Sequence, residues 1–176
     1  MAAKTGTYTL ISSSTLGTAA ASISFSSIPA TYTDLVLVAV PASASGTPNI
    51  LIRVNSDSGN NYSWTGIQGN GTSATSGREI NTVRTYGTIQ YYSAMTTTLG
   101  TCMIKTNFMD YANAVAHKTW LSRADGAGYA TEAVVGKWAS TAAITTLDLY
   151  NYVGAGNFVN FAAGSNFKLY GIEAAK

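Results

Sequence analysis

The pattern of apolar and polar residues along the chain is that of short β-strands, and its most apolar stretch lies at residues 32–41. Six consecutive apolar residues (LVLVAV, residues 35–40) stand there between Asp34 and Pro41. A short apolar run with these boundaries predicts a strand that is buried on both faces, at the centre of a β-structure. Just before it, residues 22–26 (SISFS) alternate polar and apolar, as in a strand with one face in water.

Further strands are predicted by similar runs, which are separated by clusters of Gly, Ser, Asn and Asp that favour turns. The predicted strands are residues 7–16, 49–55, 62–67, 79–92, 99–108, 117–123, 132–138, 144–150, 158–161 and 167–172. Residues 69–77, rich in Gly, Ser and Thr, are predicted to form an exposed loop, and residues 110–116 could be a loop or one helical turn. No stretch shows a convincing helical period.

The number of short strands and the regular turns predict an all-β fold, a single antiparallel β-sandwich. A jelly-roll-like topology fits best, because runs that are distant in sequence need long connections across two sheets. A chain of 176 residues suits one domain. We expect an N-terminal arm at 1–6, the β-sandwich at 7–173 and a C-terminal tail at 174–176.

The amino-acid composition and the net charge exclude some classes of function and favour others. Hydrophobic residues make up 46% of the chain, which excludes disorder, and charged residues only 10%, against roughly 25% in ordinary soluble domains. A surface rich in hydroxyls and poor in charge costs little to desolvate, so it suits a subunit packed against others. The net charge of +2, with scattered Lys and Arg, gives no electrostatic case for nucleic acid or an anionic membrane.

Candidate chemistry is sparse. The single cysteine, Cys102, is expected to be a small buried side chain. The single histidine, His117, could belong to a triad with Asp110, Asp125 or Asp148, but no G-x-S-x-G motif accompanies it and an ordinary polar strand residue is the better interpretation. A glycosidase-type pair of carboxylates stays open on sequence alone.

One polar segment resembles a metal loop faintly. Residues 55–61 (NSDSGNN) alternate oxygen-bearing side chains before a glycine, but they hold one carboxylate only. An Asx-rich turn is therefore the favoured interpretation. We expect no catalytic residue, no metal ligand and no cofactor.

The aromatic residues allow two interpretations. The tryptophans Trp64, Trp120 and Trp138 lie in mid-strand beside apolar neighbours, which favours core packing; two of them exposed in one groove would instead indicate a carbohydrate-binding module. Several of the eleven tyrosines lie near predicted loops or strand ends, where they either anchor an interface or cap the core. The predicted interface residues are Tyr86, Tyr91, Tyr92 and Tyr111, and Tyr129, Tyr150 and Tyr152 are similarly placed.

Several blocks of sequence, in order along most of the chain, resemble a family of tailed-phage virion structural proteins. The blocks are YTLISS (8–13), ISFSSIPATYTDLVLV (23–38), LIRVNSDSGNNYS (51–63), WASTAAIT (138–145) and FAAGSNFKLYGI (161–172). The resemblance implies a β-sandwich building block without enzyme activity, which is a capsid decoration (cement) protein in some phages and a fibre or tail component in others. Residues 72–116 depart from this pattern.

We therefore expect a noncatalytic virion structural protein, a decoration subunit on the outside of the head that bridges adjacent capsomers. Its expected partners are the major capsid protein and copies of itself, a closed trimer being one suitable form. With no apolar signal segment at the N-terminus, synthesis in the host cytoplasm is expected. The alternative is a tail-fibre or baseplate adhesin, or a carbohydrate-binding β-sandwich, that binds host glycan; a soluble hydrolase is a distant third. Residues 69–77 and 86–98 are the expected contact surfaces.

Overall fold

A computed structural model of the protein describes residues 7–80, 85–91, 95–126 and 128–173. These residues form strands and no helix, so none of them could cross a membrane as a helical span. The strands are β1 (Tyr8–Thr15), β2 (Ser22–Phe25), β3 (Asp34–Val40), β4 (Asn49–Val54), β5 (Tyr62–Gly69), β6 (Ala74–Glu79), β7 (Gly87–Gln90), β8 (Met103–Met109), β9 (Lys118–Gly126), β10 (Ala130–Trp138), β11 (Leu147–Gly154), β12 (Asn157–Val159) and β13 (Asn166–Ile172). The all-β prediction is confirmed.

The strands make two antiparallel sheets. The first, the wide sheet, has eight strands in the order β1-β13-β3-β8-β9-β10-β5-β6. The second, the narrow sheet, has the order β12-β11-β4-β7, and β2 also pairs with β11. Strands β2 and β12 lie end to end along the same edge of β11, β2 beside Leu147–Tyr150 and β12 beside Asn151–Gly154.

Eight of these strands have the connectivity of a jelly roll. In the wide sheet they are β1-β13-β3-β8, and in the narrow sheet β2-β11-β4-β7, so the chain alternates between the sheets as two Greek keys require. The other wide-sheet strands, β9, β10, β5 and β6, extend that sheet beyond β8. The predicted antiparallel β-sandwich of jelly-roll type is confirmed.

Strand β3 holds the apolar run of the sequence and lies inside the wide sheet, between β13 and β8. Leu35, Leu37 and Ala39 are buried in the core between the sheets. On the outer side Val36 is fully buried as well, whereas Val38 is half-buried. The predicted central strand is confirmed, with burial on both faces limited to its first half.

The core is formed by the inner residues of both sheets, and its largest members are aromatic. Trp64, Trp120 and Trp138 are all buried, which confirms core packing for the three tryptophans. Cys102 is buried too, as predicted. Between the sheets, the Trp120 indole Nε1 donates a hydrogen bond of 2.9 Å to the carbonyl oxygen of Thr88 in β7, so this ring ties the wide sheet to the narrow one.

Two predictions about strands and loops need correction. Four residues of the predicted loop 69–77, residues 74–77, belong to strand β6, which pairs with β5 so that the actual turn is residues 70–73. The side chains of β6 are exposed or half-buried, and an edge strand of this kind needs no alternating apolar residues, which explains the error. Of the predicted strand 79–92, the described residues show Glu79 as the end of β6 and residues 87–90 as β7, and residues 81–84 and 92 lie outside them.

Residues 110–116 form turns and bends rather than a helical turn. A buried cation holds this loop in place: the Lys118 ammonium donates hydrogen bonds to the carbonyl oxygens of Asn113, Ala116 and Thr141. Since the three carbonyl groups come from two separate segments, Lys118 fastens the loop to the connection that follows β10. Burial lowers the pKa of this ammonium, although the charge of Asp110 opposes the shift.

Candidate functional site

The outer face of the wide sheet, here called the wide face, carries a large share of the exposed apolar side chains. They lie on strands whose other residues alternate into the core, so their exposure follows from the period of two along each strand. Over half of the large exposed apolar residues in the described part of the chain are on this face: Tyr8, Leu10, Ile67, Met103, Met109, Leu121 and Val135. Leu121 lies directly opposite Val135 on the neighbouring strand, so the two form one apolar contact area.

A concavity of about 790 Å³ lies on the wide face, across β6, β5, β10, β9 and β8. Ile67 of β5 is opposite Ala133 of β10, and Ala133 is opposite Arg123 of β9. Arg123 is in turn opposite Lys105 of β8. Two cationic residues therefore lie at the side of an apolar hollow, and the Lys105 side chain is directed away from β9, because its Nζ lies 5.7 Å from the centroid of the Tyr8 ring on β1.

The whole wide face is basic. Its described strands carry five cationic side chains on their outward positions, against the two carboxylates of Asp34 and Asp125. The cationic residues are Arg78, Lys105, Arg123, Lys137 and Lys168. Strand pairing thus places five of the seven Lys and Arg residues in the described part of the chain on one side of the sandwich.

The outer face of the narrow sheet, here called the narrow face, carries a cluster of four aromatic rings, Tyr86, Tyr150, Tyr152 and Phe158. Tyr150 and Tyr152 point outward from β11 because Leu149 and Asn151 point into the core. The Tyr86 ring is 5.4 Å from both the Tyr150 ring and the Phe158 ring, and Phe158 is 5.5 Å from Tyr152. These centroid distances are those of favourable edge-to-face and tilted ring pairs.

Arg53 of β4 packs on this aromatic cluster. Its guanidinium carbon lies 4.0 Å from the centroid of the Tyr86 ring and 5.8 Å from that of Tyr150, within the range of a cation–π contact. Its Nε donates a hydrogen bond of 3.3 Å to the carbonyl oxygen of Thr85. Burial, and the charge of Asp148, raise the pKa of the Tyr150 hydroxyl, which keeps that hydroxyl protonated.

Beside the cluster is a groove of about 420 Å³, here called the aromatic groove. Its lining includes Tyr86, Tyr152 and Phe158 together with Asn49 and Glu79. Leu51, Thr85, Thr88, Tyr91, Gly154 and Gly156 complete it. The groove therefore combines ring surfaces with amide, carboxylate and hydroxyl groups.

Tyr91, which lines the aromatic groove, is held in place by contacts with Trp64 and Glu132. The Tyr91 ring lies 4.2 Å from the ring of Trp64, and the Trp64 indole Nε1 donates a 2.9 Å hydrogen bond to the Glu79 carboxylate. The Tyr91 backbone N–H donates to both carboxylate oxygens of Glu132, at 3.2 and 3.3 Å. Trp64 thus supports the groove from the core and does not display its ring in it.

The predicted interface tyrosines separate in the structure. Tyr86 and Tyr91 line the aromatic groove, whereas Tyr92 lies outside the described residues. Tyr111 is fully buried, so its prediction as a surface anchor is wrong for the subunit described here. Its hydroxyl donates a hydrogen bond to the Pro29 carbonyl oxygen and accepts one of 3.4 Å from the Tyr32 backbone N–H, and burial raises its pKa.

Sequence reasoning did not connect Phe158 or Arg53 with the tyrosines. The alternation of Tyr150 and Tyr152 was a usable signal, since residues two apart in a strand share a face. The pairing of Tyr152 with Phe158 depends on the register of β11 and β12, and the sequence does not show that register.

The structure also places the histidine and the polar segment 55–61 that were considered as candidate sites in the sequence. His117 is exposed in the loop just before β9. Residues 55–61 form the expected Asx-rich turn, in which Asp57 Oδ1 accepts a hydrogen bond from the Gly59 N–H and Oδ2 accepts from Asn61 and Trp138. Among the residues that the structure describes, no three His, Cys, Asp or Glu side chains are grouped so that they could hold a metal ion.

A scan against models of known protein families finds no match to this chain, and a search of the curated proteins finds none either.

Proposed function

We propose that the chain is a noncatalytic virion structural protein, a capsid decoration subunit that attaches to the head through its wide face. One observation carries this proposal: exposed apolar side chains and five cations share one outer face of a rigid sandwich. The blocks of sequence that resemble tailed-phage structural proteins support the choice of a virion as the place of assembly.

The wide face has the chemistry of a surface that becomes buried on binding. Removal of apolar area from water contributes roughly 25 cal/mol per Å², and Met and aromatic side chains such as Met103, Met109 and Tyr8 are enriched in interfaces. The excess of cations on the wide face, five against two carboxylates, fits a partner surface that carries carboxylates, because opposite charges across an interface attract each other.

Such a subunit stabilises the head by mass action. It binds the assembled lattice and not the dissociated capsid protein, so each bound copy shifts the equilibrium towards the intact shell. Bridging of neighbouring capsomers, by single subunits or by a closed oligomer of them, opposes the internal pressure of packaged DNA.

The test is rebinding of purified subunit to particles that lack it. Changing Leu121 and Val135 together to Ser removes the paired apolar contact from the wide face, and both side chains are exposed, so folding should persist. We expect affinity for the particle to fall by about tenfold or more. Val115→Ser, at a residue that is 86% exposed and off the sheets, is the matched control and should bind normally. Full occupancy by the double variant would refute attachment through the wide face.

A second candidate, a tail-fibre or baseplate adhesin, is favoured by the aromatic groove on the narrow face. The two functions predict different properties for particles that lack this protein. Particles without a decoration subunit should be less stable to heat and adsorb normally, whereas particles without an adhesin should be as stable as the wild type and fail to adsorb.

A further inference from the structure

We propose that the aromatic groove binds a neutral carbohydrate. This goes beyond attachment of the subunit, because the groove lies on the narrow face, on the side of the sandwich opposite the wide face. A subunit held by its wide face would leave the groove open to the surroundings of the particle.

The size and the aromatic lining of the groove fit one or two sugar units. Its volume of about 420 Å³ lies in the range of small-molecule sites, roughly 300–1,000 Å³. Phe158 is 40% exposed, and Tyr152 and Tyr86 adjoin it. Contacts among these rings, and between Tyr86 and Arg53, hold them in place before any ligand arrives, so little conformational entropy is lost on binding.

The polar lining matches sugar hydroxyl groups. Asn49 offers an amide, Thr88 a hydroxyl and Glu79 a carboxylate, and all three line the same groove as the rings. A hydroxyl group both donates and accepts hydrogen bonds, so a sugar can satisfy an amide and a carboxylate together. The apolar C–H face of a pyranose can at the same time lie on an aromatic ring.

Charge argues for a neutral ligand. Among the described residues that line the groove, Glu79 is the charged one, and its carboxylate already accepts a hydrogen bond from the Trp64 indole Nε1, so it needs no cation from the ligand. The nearby guanidinium of Arg53 lies on the Tyr86 ring with its Nε bonded to a backbone carbonyl. A proline-rich peptide also binds aromatic grooves, but it offers carbonyl acceptors and few donors, whereas each sugar hydroxyl group both donates and accepts hydrogen bonds.

The experiment is binding of the purified chain to an array of immobilised neutral oligosaccharides, followed by calorimetric titration of the best one. Sialylated and sulfated oligosaccharides and a proline-rich peptide are the competing probes. We expect Phe158→Ala and Tyr152→Ala each to weaken binding of the neutral sugar by about tenfold or more, because each removes an anchoring ring. Tyr152→Phe, which keeps the ring, should stay within about threefold of the wild type.

Thermal melts show whether each variant is folded, and Phe158→Ser is a second variant if either alanine change disturbs folding. The wide-face variant with Leu121→Ser and Val135→Ser should bind the sugar normally, so failure of this proposal is distinguishable from failure of particle attachment. Absence of neutral-sugar binding at about 10 mM overturns the proposal. Sugar binding that survives removal of both the Tyr152 and the Phe158 ring also overturns it, and so does a preference for the anionic sugars or for the peptide.

Discussion

Single side chains with two or three precise contacts fasten the connections of this sandwich to its sheets. Asp57 is the clearest case, since its carboxylate binds the turn that contains it and also the indole Nε1 of Trp138, at 2.6 Å. Burial by itself would raise the pKa of Asp57, but the hydrogen bonds from Trp138, Asn61 and Gly59, with the charge of Arg53, hold the pKa below its usual value.

Changing Asp57 to Asn should therefore destabilise the protein in a pH-dependent way. Asn has one acceptor oxygen instead of two, so either the turn or the buried Trp138 N–H loses its partner, at a cost of about 1–2 kcal/mol near pH 7. Because the folded pKa lies below the unfolded one, the carboxylate's contribution is complete above the unfolded value and is lost as pH falls through the folded value. Urea unfolding of the wild type and of the Asp57→Asn variant across this pH range measures the difference between their free energies of unfolding. A difference that stays constant down to strongly acidic pH would contradict this interpretation.

Cys102 should be unreactive in the folded protein. Burial, with smaller effects from the charges of Asp125 and Glu132, raises the pKa of its thiol to about 12. The thiolate is the reactive form, so alkylation near pH 7 should be negligible until the chain unfolds. Mass spectrometry of iodoacetamide-treated protein, with a sample in concentrated urea as control, checks this. Equal labelling rates in the two samples would show that the side chain is accessible.

At the scale of elements, the spacing of β7, β9 and β10 depends on one ring and two glycines. The Trp120 side chain of β9 occupies the space where Gly136 of β10 and Gly87 of β7 would carry a Cβ atom; that atom would lie 2.1 Å from the indole at Gly136 and 2.6 Å at Gly87. A glycine inside a strand often marks such a close approach. The two sheets can therefore close around Trp120 only because these positions lack side chains.

Gly136→Ala should destabilise the fold by about 1–3 kcal/mol, because the added methyl group forces Trp120 out of its position. Gly69→Ala on the neighbouring strand β5 is the matched control, since nothing lies within 4 Å of its Cβ position. Thermal unfolding of the two variants, with Trp fluorescence as the probe, compares them. Equal stability of the two variants would show that Trp120 can move without cost.

The elements also show how far the sequence predicts this structure. A strand with one face in the core was predictable because burial of that face imposes alternation, as in β2. A strand that is buried on both faces over part of its length was predictable from its continuous apolar run, as in β3. Strand β6 was not, because an exposed edge strand has no such constraint. The aromatic groove draws residues from β4, β7, β11 and β12 of the narrow sheet and Glu79 from the end of β6, and only the pairing register and the packing of the two sheets bring them together.

At the scale of the whole molecule, the sandwich has two outer faces of different chemistry. The wide face is apolar and basic, and the narrow face carries the aromatic groove. Composition alone suggested an uncharged surface, since the net charge is only +2. Strand pairing places five of the seven described Lys and Arg residues on one side, and this asymmetry is a property of the fold that residue counts do not show.

The basic wide face gives a prediction about salt. Binding of the subunit to particles should weaken as ionic strength rises from about 0.05 to 0.5 M, because attraction between charged surfaces is screened over a shorter distance. Lys105→Gln should reduce this salt dependence, and Lys105→Arg, which keeps the charge, should leave it unchanged. The measurement is the fraction of subunit that sediments with particles, and affinity that does not vary with salt would rule out an acidic partner surface.

The central claim, a decoration subunit attached through the wide face, is tested most directly by electron cryomicroscopy of purified particles with the copy number of this chain measured on the same sample. The account predicts many copies distributed over the head, each with its wide face towards the shell and its aromatic groove facing outward. A few copies confined to the tail, or head-bound copies with the narrow face against the shell, would contradict it.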